Sequence, residues 1–168
     1  PKWLIQYPYS LIARGEYTQA LTYLLSLGSE CTNLYSYDML RAYVHYNLED
    51  YPEALKYIRK ALAIDETSYQ GWFLLGVIMH RGSEYEPSLQ AFLTAQSIKP
   101  DISEITKNIG ILYEICKEPK EVHAFYERLV DAHPDDEWSV SRLSEVNSSR
   151  QTEKQFAPPD LFLLPLMV

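Results

Sequence analysis

The sequence predicts an all-α fold: a stack of four helix–turn–helix units, a closing helix and an extended apolar tail. Three observations carry this. The stretches GEYTQA at 15–20, EDYPEA at 49–54 and SEYEPS at 83–88 recur every 34 residues, and a fixed period of 20–50 residues marks a supersecondary unit that is being stacked. Within a unit the apolar spacing is helical, clearest in Trp72, Leu75, Gly76 and Met79 at i, i+3, i+4 and i+7. The prolines fall where this division needs them. Pro52, Pro87 and Pro119 lie at or near the first turn of a second helix, where a missing N–H costs nothing, and Pro100 and Pro134 punctuate joins between units.

Counting Tyr17, Tyr51 and Tyr85 as the seventeenth place divides the chain into units 1–34, 35–68, 69–102 and 103–136, without insertion. Each unit is two helices of roughly 12–14 residues, turning at the acid–tyrosine stretch, and the tyrosines read as corner packing. The first unit departs from the pattern at its eighth place, where Pro8 stands instead of a small residue, so its first helix is expected to be short, kinked or displaced. The other units hold Ala42, Gly76 and Gly110 there, which lets two helix backbones approach closely. The twentieth place is Ala20, Ala54, Ser88 and Val122, and the twenty-fourth is Leu24, Ile58, Phe92 and Tyr126, large and apolar every time. In the second unit Asp38, Arg41 and His45 replace the Trp72, Leu75 and Met79 of the third. They share one helical stripe, so an Asp–Arg pair is feasible, either as internal structure or as a polar contact to a partner.

After Pro134, Asp135 and Asp136 are placed to cap a closing helix at 137–150 with the stripe Val140, Leu143 and Val146. A stack needs such a helix to cover its last apolar face. Residues 151–168 form a linker and an apolar tail. Leu161 to Val168 contains no charge; this run is too short to span a bilayer, and Pro165 favours an extended chain over a helix. An apolar tail that is ordered must be docked, because burial has to offset its ordering entropy. The candidate docks are its own groove, a neighbouring molecule's groove, or the end of the stack.

The run Trp72, Leu75, Gly76, Phe92, Ala95 to Pro100 resembles the signature of the tetratricopeptide (TPR) repeat, W-x2-L-G…A-x3-F…P; the other units resemble it more loosely, over 1–136 in all. The resemblance implies a right-handed superhelix (solenoid) whose first helices line a concave groove. It also implies groove-facing places, which here include Ile5, Tyr9, Met39, Leu40, Tyr43, Tyr46, Phe73, Leu74, Val77 and Ile111, with the polar Asn47, Gln70, His80, Arg81, Lys107 and Asn108 among or beside them. A finer likeness, from Ile102-Ser103-Glu104 through Gly110, Leu112-Tyr113-Glu114 and Cys116, is similar to the TPR subunit of fungal general transcriptional corepressors and to TPR-bearing histone demethylases. It departs from them in having Thr106 in place of the usual Trp.

Composition and motifs exclude several function classes. A net charge of −8 with scattered basic residues argues against nucleic acid as partner. Acid gathers in 101–137, ten Asp or Glu against four Lys or Arg, and is read either as a solvated face or as a dock for a basic partner. Cys31 and Cys116 are too few for a disulfide framework, and neither a leader pattern nor a membrane span is seen. The chain is therefore expected to be intracellular, cytoplasmic or nuclear, and the absence of an initiator methionine suggests a piece of a longer protein. His45, His80, His123 and His133 show no metal-ligand spacing, and no Gly-rich phosphate loop occurs. No catalytic residue, metal or cofactor is expected.

The expected function is a non-enzymatic scaffold that binds an apolar peptide or amphipathic helix of a partner in its groove, within a multiprotein assembly. The groove residues are Tyr9, Met39, Tyr43, Tyr46, Phe73, Val77, His80, Asn108 and Ile111. Asp38, Arg41 and His45 are the candidate polar contact, and Leu161, Phe162, Leu164 and Leu166 a tail ligand. The Lys and Asn clamp by which chaperone-binding TPR domains hold a C-terminal carboxylate is absent, because its places carry Ile5, Tyr9, Leu40, Gln70 and Leu74 in one frame and Met39, Tyr43, Leu74, Glu104 and Asn108 in the other. The alternative is a stack that self-associates through the same surface and has no separate ligand.

Overall fold

In the computed structural model, which describes residues 3–31, 34–152 and 157–166, paired antiparallel helices follow one another along the chain. They are α1 (Trp3–Ala13) with α2 (Tyr17–Ser26), α3 (Tyr35–Asn47) with α4 (Tyr51–Ile64), α5 (Tyr69–Arg81) with α6 (Tyr85–Ile98), and α7 (Ser103–Cys116) with α8 (Pro119–Ala132). A 3₁₀ turn (Gly28–Cys31) links the first pair to the second, and α9 (Glu137–Thr152) closes the stack. No strand occurs among the described residues. The fold is thus an all-α superhelical repeat.

The turns inside the first three pairs are copies of one another. Gly15, Glu49 and Ser83 all take a left-handed backbone, with φ of 75°, 61° and 62°. The next amide reaches back five residues each time, Glu16 to the Leu11 carbonyl, Asp50 to His45 and Glu84 to Met79, all at 2.9 Å. This is the Schellman arrangement, which satisfies orphaned helix-end carbonyls. The fourth pair differs because Pro119 bars its preceding residue from helical backbone. Glu118 is extended (φ −67°, ψ 148°) and forms a capping box with Glu121.

The core is distributed along the stack. Leu11, Ile12, Ala20, Leu24, Tyr37, Leu40 and Val44 join the first pair to the second. Met39, Ala42, Ile58, Leu62, Leu74, Leu75 and Ile78 join the second to the third. Phe73, Val77, Phe92, Ile105, Ile109 and Leu112 join the third to the fourth, and Val122, Tyr126 and Val146 seat α9. Each layer completes its neighbour's, as expected of repeat architectures.

The small eighth place has a more specific reason than backbone approach. A Cβ on Gly76 would meet the Phe92 ring at 2.9 Å, and one on Gly110 would meet the Tyr126 hydroxyl at 2.8 Å. The large twenty-fourth residue therefore occupies the space that the small eighth residue leaves. The buried Ser88 hydroxyl adds a 2.6 Å hydrogen bond to the Gly76 carbonyl.

The first helix and the closing helix can be set against what was expected of them. Helix α1 runs through Pro8, which lies buried inside it, and at 11 residues among those described it is shorter than α3 and α5 at 13 and α7 at 14. One missing backbone bond is offset by the buried face that Leu11 and Ile12 carry into the core. Val140 does not belong to the inner stripe of α9: it is exposed, while Ser139, Arg142 and Val146 are buried. The helix runs to Thr152, two residues beyond the expected end.

Candidate functional site

The first helices of the pairs, α1, α3, α5 and α7, border a groove, and the extended tail lies in it. Residues 157–166 carry no regular secondary structure. The tail runs against the order of the pairs, from the fourth back to the first. At one end, Asn108 of α7 holds Phe162 by both main-chain groups: its Nδ2 donates to the Phe162 carbonyl at 2.8 Å, and its Oδ1 accepts from the Phe162 N–H at 2.7 Å. At the other end, the Tyr9 hydroxyl of α1 donates to the Leu166 carbonyl at 2.8 Å. Asn108 is fully buried, so this pairing is what keeps its amide from the cost of an unsatisfied polar group.

Between those ends the contacts are apolar. Leu161 and Leu164 pack on the core layer shared by the third and fourth pairs, and Leu166 on the layer of the first and second. A residual cavity of about 60 Å³ lies between tail and groove, bounded by Met39, Tyr43, Tyr46, Phe73, Val77 and Leu164 among others. The Phe162 ring meets Trp138 of α9 edge-on, centroids 5.4 Å apart at 86°. Lys107 of α7 places its ammonium 5.5 Å from the Trp138 ring and 5.4 Å from that of Phe162, held by a 3.1 Å ion pair to Asp136.

The residues singled out from the sequence divide into three groups. Tyr9, Met39, Tyr43, Tyr46, Phe73, Val77 and Asn108 come together around the tail. Met39, Phe73, Val77 and Ile111 are also core: Phe73 is buried against Phe92 at 5.3 Å, and Ile111 is wholly buried. His80 lies at the groove's edge, half-buried against Tyr85. Its Nδ1 has no hydrogen-bond partner, and burial, reinforced by neighbouring Arg81, lowers its pKa, while Asp160 of the tail works the other way.

Asp38, Arg41 and His45 form the third group, and they are internal rather than presented to a partner, at 4%, 6% and 7% exposure. Arg41 makes no ion pair with Asp38. It donates to the hydroxyls of Tyr37 at 2.9 Å and Tyr57 at 2.8 Å, and its guanidinium lies 4.2 Å from the Tyr57 ring centroid. His45 stacks on Tyr57 and pairs with Asp50 at 3.1 Å. A planar cation between phenol rings is held by their hydroxyls and faces without a carboxylate, although its buried Nε has no hydrogen-bond partner. Desolvation raises the pKa of Asp38.

Trp138 is a site residue that the aliphatic stripe of the closing helix does not point to. The signal was present in a large aromatic residue two positions after the Asp136 cap. Asp136 accepts from the Ser139 N–H at 3.1 Å, which fixes the first turn of α9 and hence the direction of the Trp138 ring. Among the described residues no cluster of three or more His, Cys, Asp or Glu side chains could hold a metal, and no helix is long and apolar enough to cross a membrane.

Comparison with known proteins places this geometry. The family model described as tetratricopeptide repeat matches residues 39–68. Anaphase-promoting complex subunit 3 of Schizosaccharomyces pombe is 28% identical over 132 residues, 78% of this chain; the chain spans 19% of that relative's length. The 41-to-end fragment of MamA from Desulfovibrio magneticus RS-1 superposes with a TM-score of 0.76 at 17% identity, covering 89% of this chain and 85% of that one. A chain of the APC/C hetero-tetramer Cut9–Hcn1 superposes with a TM-score of 0.71 at 15% identity, covering 85% of this chain and 29% of that one. The period, the paired helices and the layered core all agree with these likenesses, and the stretch 39–68 is similar to a tetratricopeptide repeat.

Proposed function

We propose that the chain is a non-enzymatic protein-interaction module whose groove takes an extended apolar segment of a partner protein. Tetratricopeptide repeats mediate protein–protein interaction, and two of the proteins this chain resembles are named as parts of one assembly, the anaphase-promoting complex. The observation that carries the reading is the tail itself. An apolar extended peptide lies across the first helices, held by main-chain hydrogen bonds at both ends and by leucine contacts between them. Main-chain pairing with side-chain pockets is how folded domains take extended peptides. A segment of similar chemistry from another chain would fit the same contacts.

The tail is then a tethered competitor, present at a high effective concentration. In the full chain carrying Leu161→Asp, Leu164→Asp and Leu166→Asp, carboxylates at these partly buried positions would expel the tail. That protein should bind a fluorescent synthetic peptide of residues 157–168 more tightly than the parent chain does, as read by anisotropy. Light scattering should find it monomeric. Failure of the released chain to bind the peptide would overturn the reading, and a dimer indifferent to the peptide would favour the self-associating stack.

A further inference from the structure

Phe162 is held through both of its main-chain groups, and its side chain is engaged as well. Asn108 takes its N–H and its carbonyl, at 2.7 and 2.8 Å. This fixes which residue stands at that point and which way the chain runs. Its ring is then delivered into a recess walled by Trp138, edge-on at 5.4 Å, and by the Lys107 ammonium at 5.4 Å.

The recess is built from parts that hold one another. Lys107 lies against the Trp138 ring as well and is held by Asp136, the residue that caps α9. Trp138 in turn rests at 6.0 Å from the buried Tyr126. Burial would raise the Asp136 carboxyl, but hydrogen bonds from Ser139 and Lys107 bring it below the ordinary carboxylate value, so the ion pair that positions Lys107 persists at neutral pH. The walls are an aromatic ring in T-shaped contact and a cation. Both have specific attraction for an aromatic ring, and neither has it for an aliphatic side chain. Leu164 and Leu166, by contrast, meet ordinary apolar surface that any aliphatic residue could cover.

We propose that the junction of α7 and α9 is an aromatic-selecting pocket that sets the register of the partner segment: an extended peptide with an aromatic residue at the Asn108 clamp and leucines two and four residues later. This rests on the groove reading above and adds to it a specificity that a merely greasy groove would lack. Among the described residues the first pair meets the main chain of the segment through Tyr9, so discrimination is concentrated at the fourth pair and the closing helix.

The test uses the tail-released full chain described above and labelled peptides of residues 157–168 in which the Phe is kept or replaced by Tyr, Leu or Ala. The parent and Tyr peptides should bind alike, and the Leu peptide about tenfold more weakly, the factor that an edge-to-face pair and a cation–π contact supply together. In a host that also carries Trp138→Ala the penalty for Leu should shrink to about threefold or less, because a double-mutant cycle isolates the ring–ring contact. Lys107→Met, which leaves the apolar seat of α9 intact, should likewise reduce the preference and guards against a misfolded Trp138 variant. Equal binding of Phe and Leu peptides, or a penalty unchanged by either host substitution, overturns the pocket while leaving the groove reading standing. Absence of binding by every peptide overturns both.

Discussion

At the scale of single residues, His80 reports on the tail. Burial is the main reason its pKa lies below the 6.5 of an ordinary histidine, and the carboxylate of Asp160 partly offsets it. Asp160→Asn should therefore lower the His80 pKa further, which a titration followed by NMR would reveal; no change would mean that the tail's carboxylate does not stand beside the ring in solution. Because the folded value is depressed, the fold prefers the neutral ring. The stability this contributes is complete above pH 6.5 and is lost as pH falls through the folded value. Gly76 is the second informative residue. A side chain there must displace Phe92, which is fully buried and packed on Phe73, so Gly76→Leu should cost about 1–3 kcal/mol or more in chemical denaturation. A variant as stable as the parent would show that the eighth and twenty-fourth places do not share that space. Phe73 carries a related lesson. The groove reading makes it a ligand contact, but its burial against Phe92 makes it equally a core residue, so its truncation would damage folding and binding together.

At the scale of elements, α9 is fastened by charge as much as by apolar area. Arg142 pairs with Glu114 of α7, both nearly buried at 9% and 8% side-chain exposure, and the Tyr126 hydroxyl donates to the same carboxylate at 2.6 Å. Desolvation and that carboxylate both push the Tyr126 hydroxyl's pKa upward. Removing one partner of a buried pair strands the other, so Arg142→Met should cost about 3–5 kcal/mol. Adding Glu114→Gln, which still accepts from Tyr126 but carries no charge, should restore part of the loss; equal midpoints for the single and double variants would show that the stranded charge is not the cause. The repeated turn gives a gentler test. Ser83 holds a left-handed backbone with φ of 62°, a conformation glycine adopts without a Cβ penalty, so Ser83→Gly should gain about 0.5–1 kcal/mol in thermal or chemical unfolding. A loss would mean that the Ser83 side chain contributes more than its backbone strain costs.

At the scale of the whole molecule, the tail acts as a strap. Solenoid layers contact only their neighbours, yet the tail touches α7 and α9 at Phe162 and α1 at Leu166. Expelling it with the three Leu→Asp substitutions should raise amide exchange most in α1, which packs mainly on α2 and α3, and least in the central α5. A uniform change along the stack would show that the tail does not link its ends.

The sequence by itself determined the repeat, the helical spacing within it, the smallness of the eighth place and the apolar, extended character of the tail. All of these are local: they follow from period, helical spacing, and proline and glycine conformational limits, which act over a few residues. Tertiary structure decided the rest. Asp38, Arg41 and His45 are polar in the sequence but internal in the fold, because the phenol rings of Tyr37 and Tyr57 that accept Arg41 come from both helices of the pair. Asn108 and Phe162 are 54 residues apart in the chain, yet they form the clamp. Trp138 entered the pocket through the cap that orients α9. Contacts of this kind depend on which helix faces are brought together across the stack, and no spacing along a single chain encodes that directly.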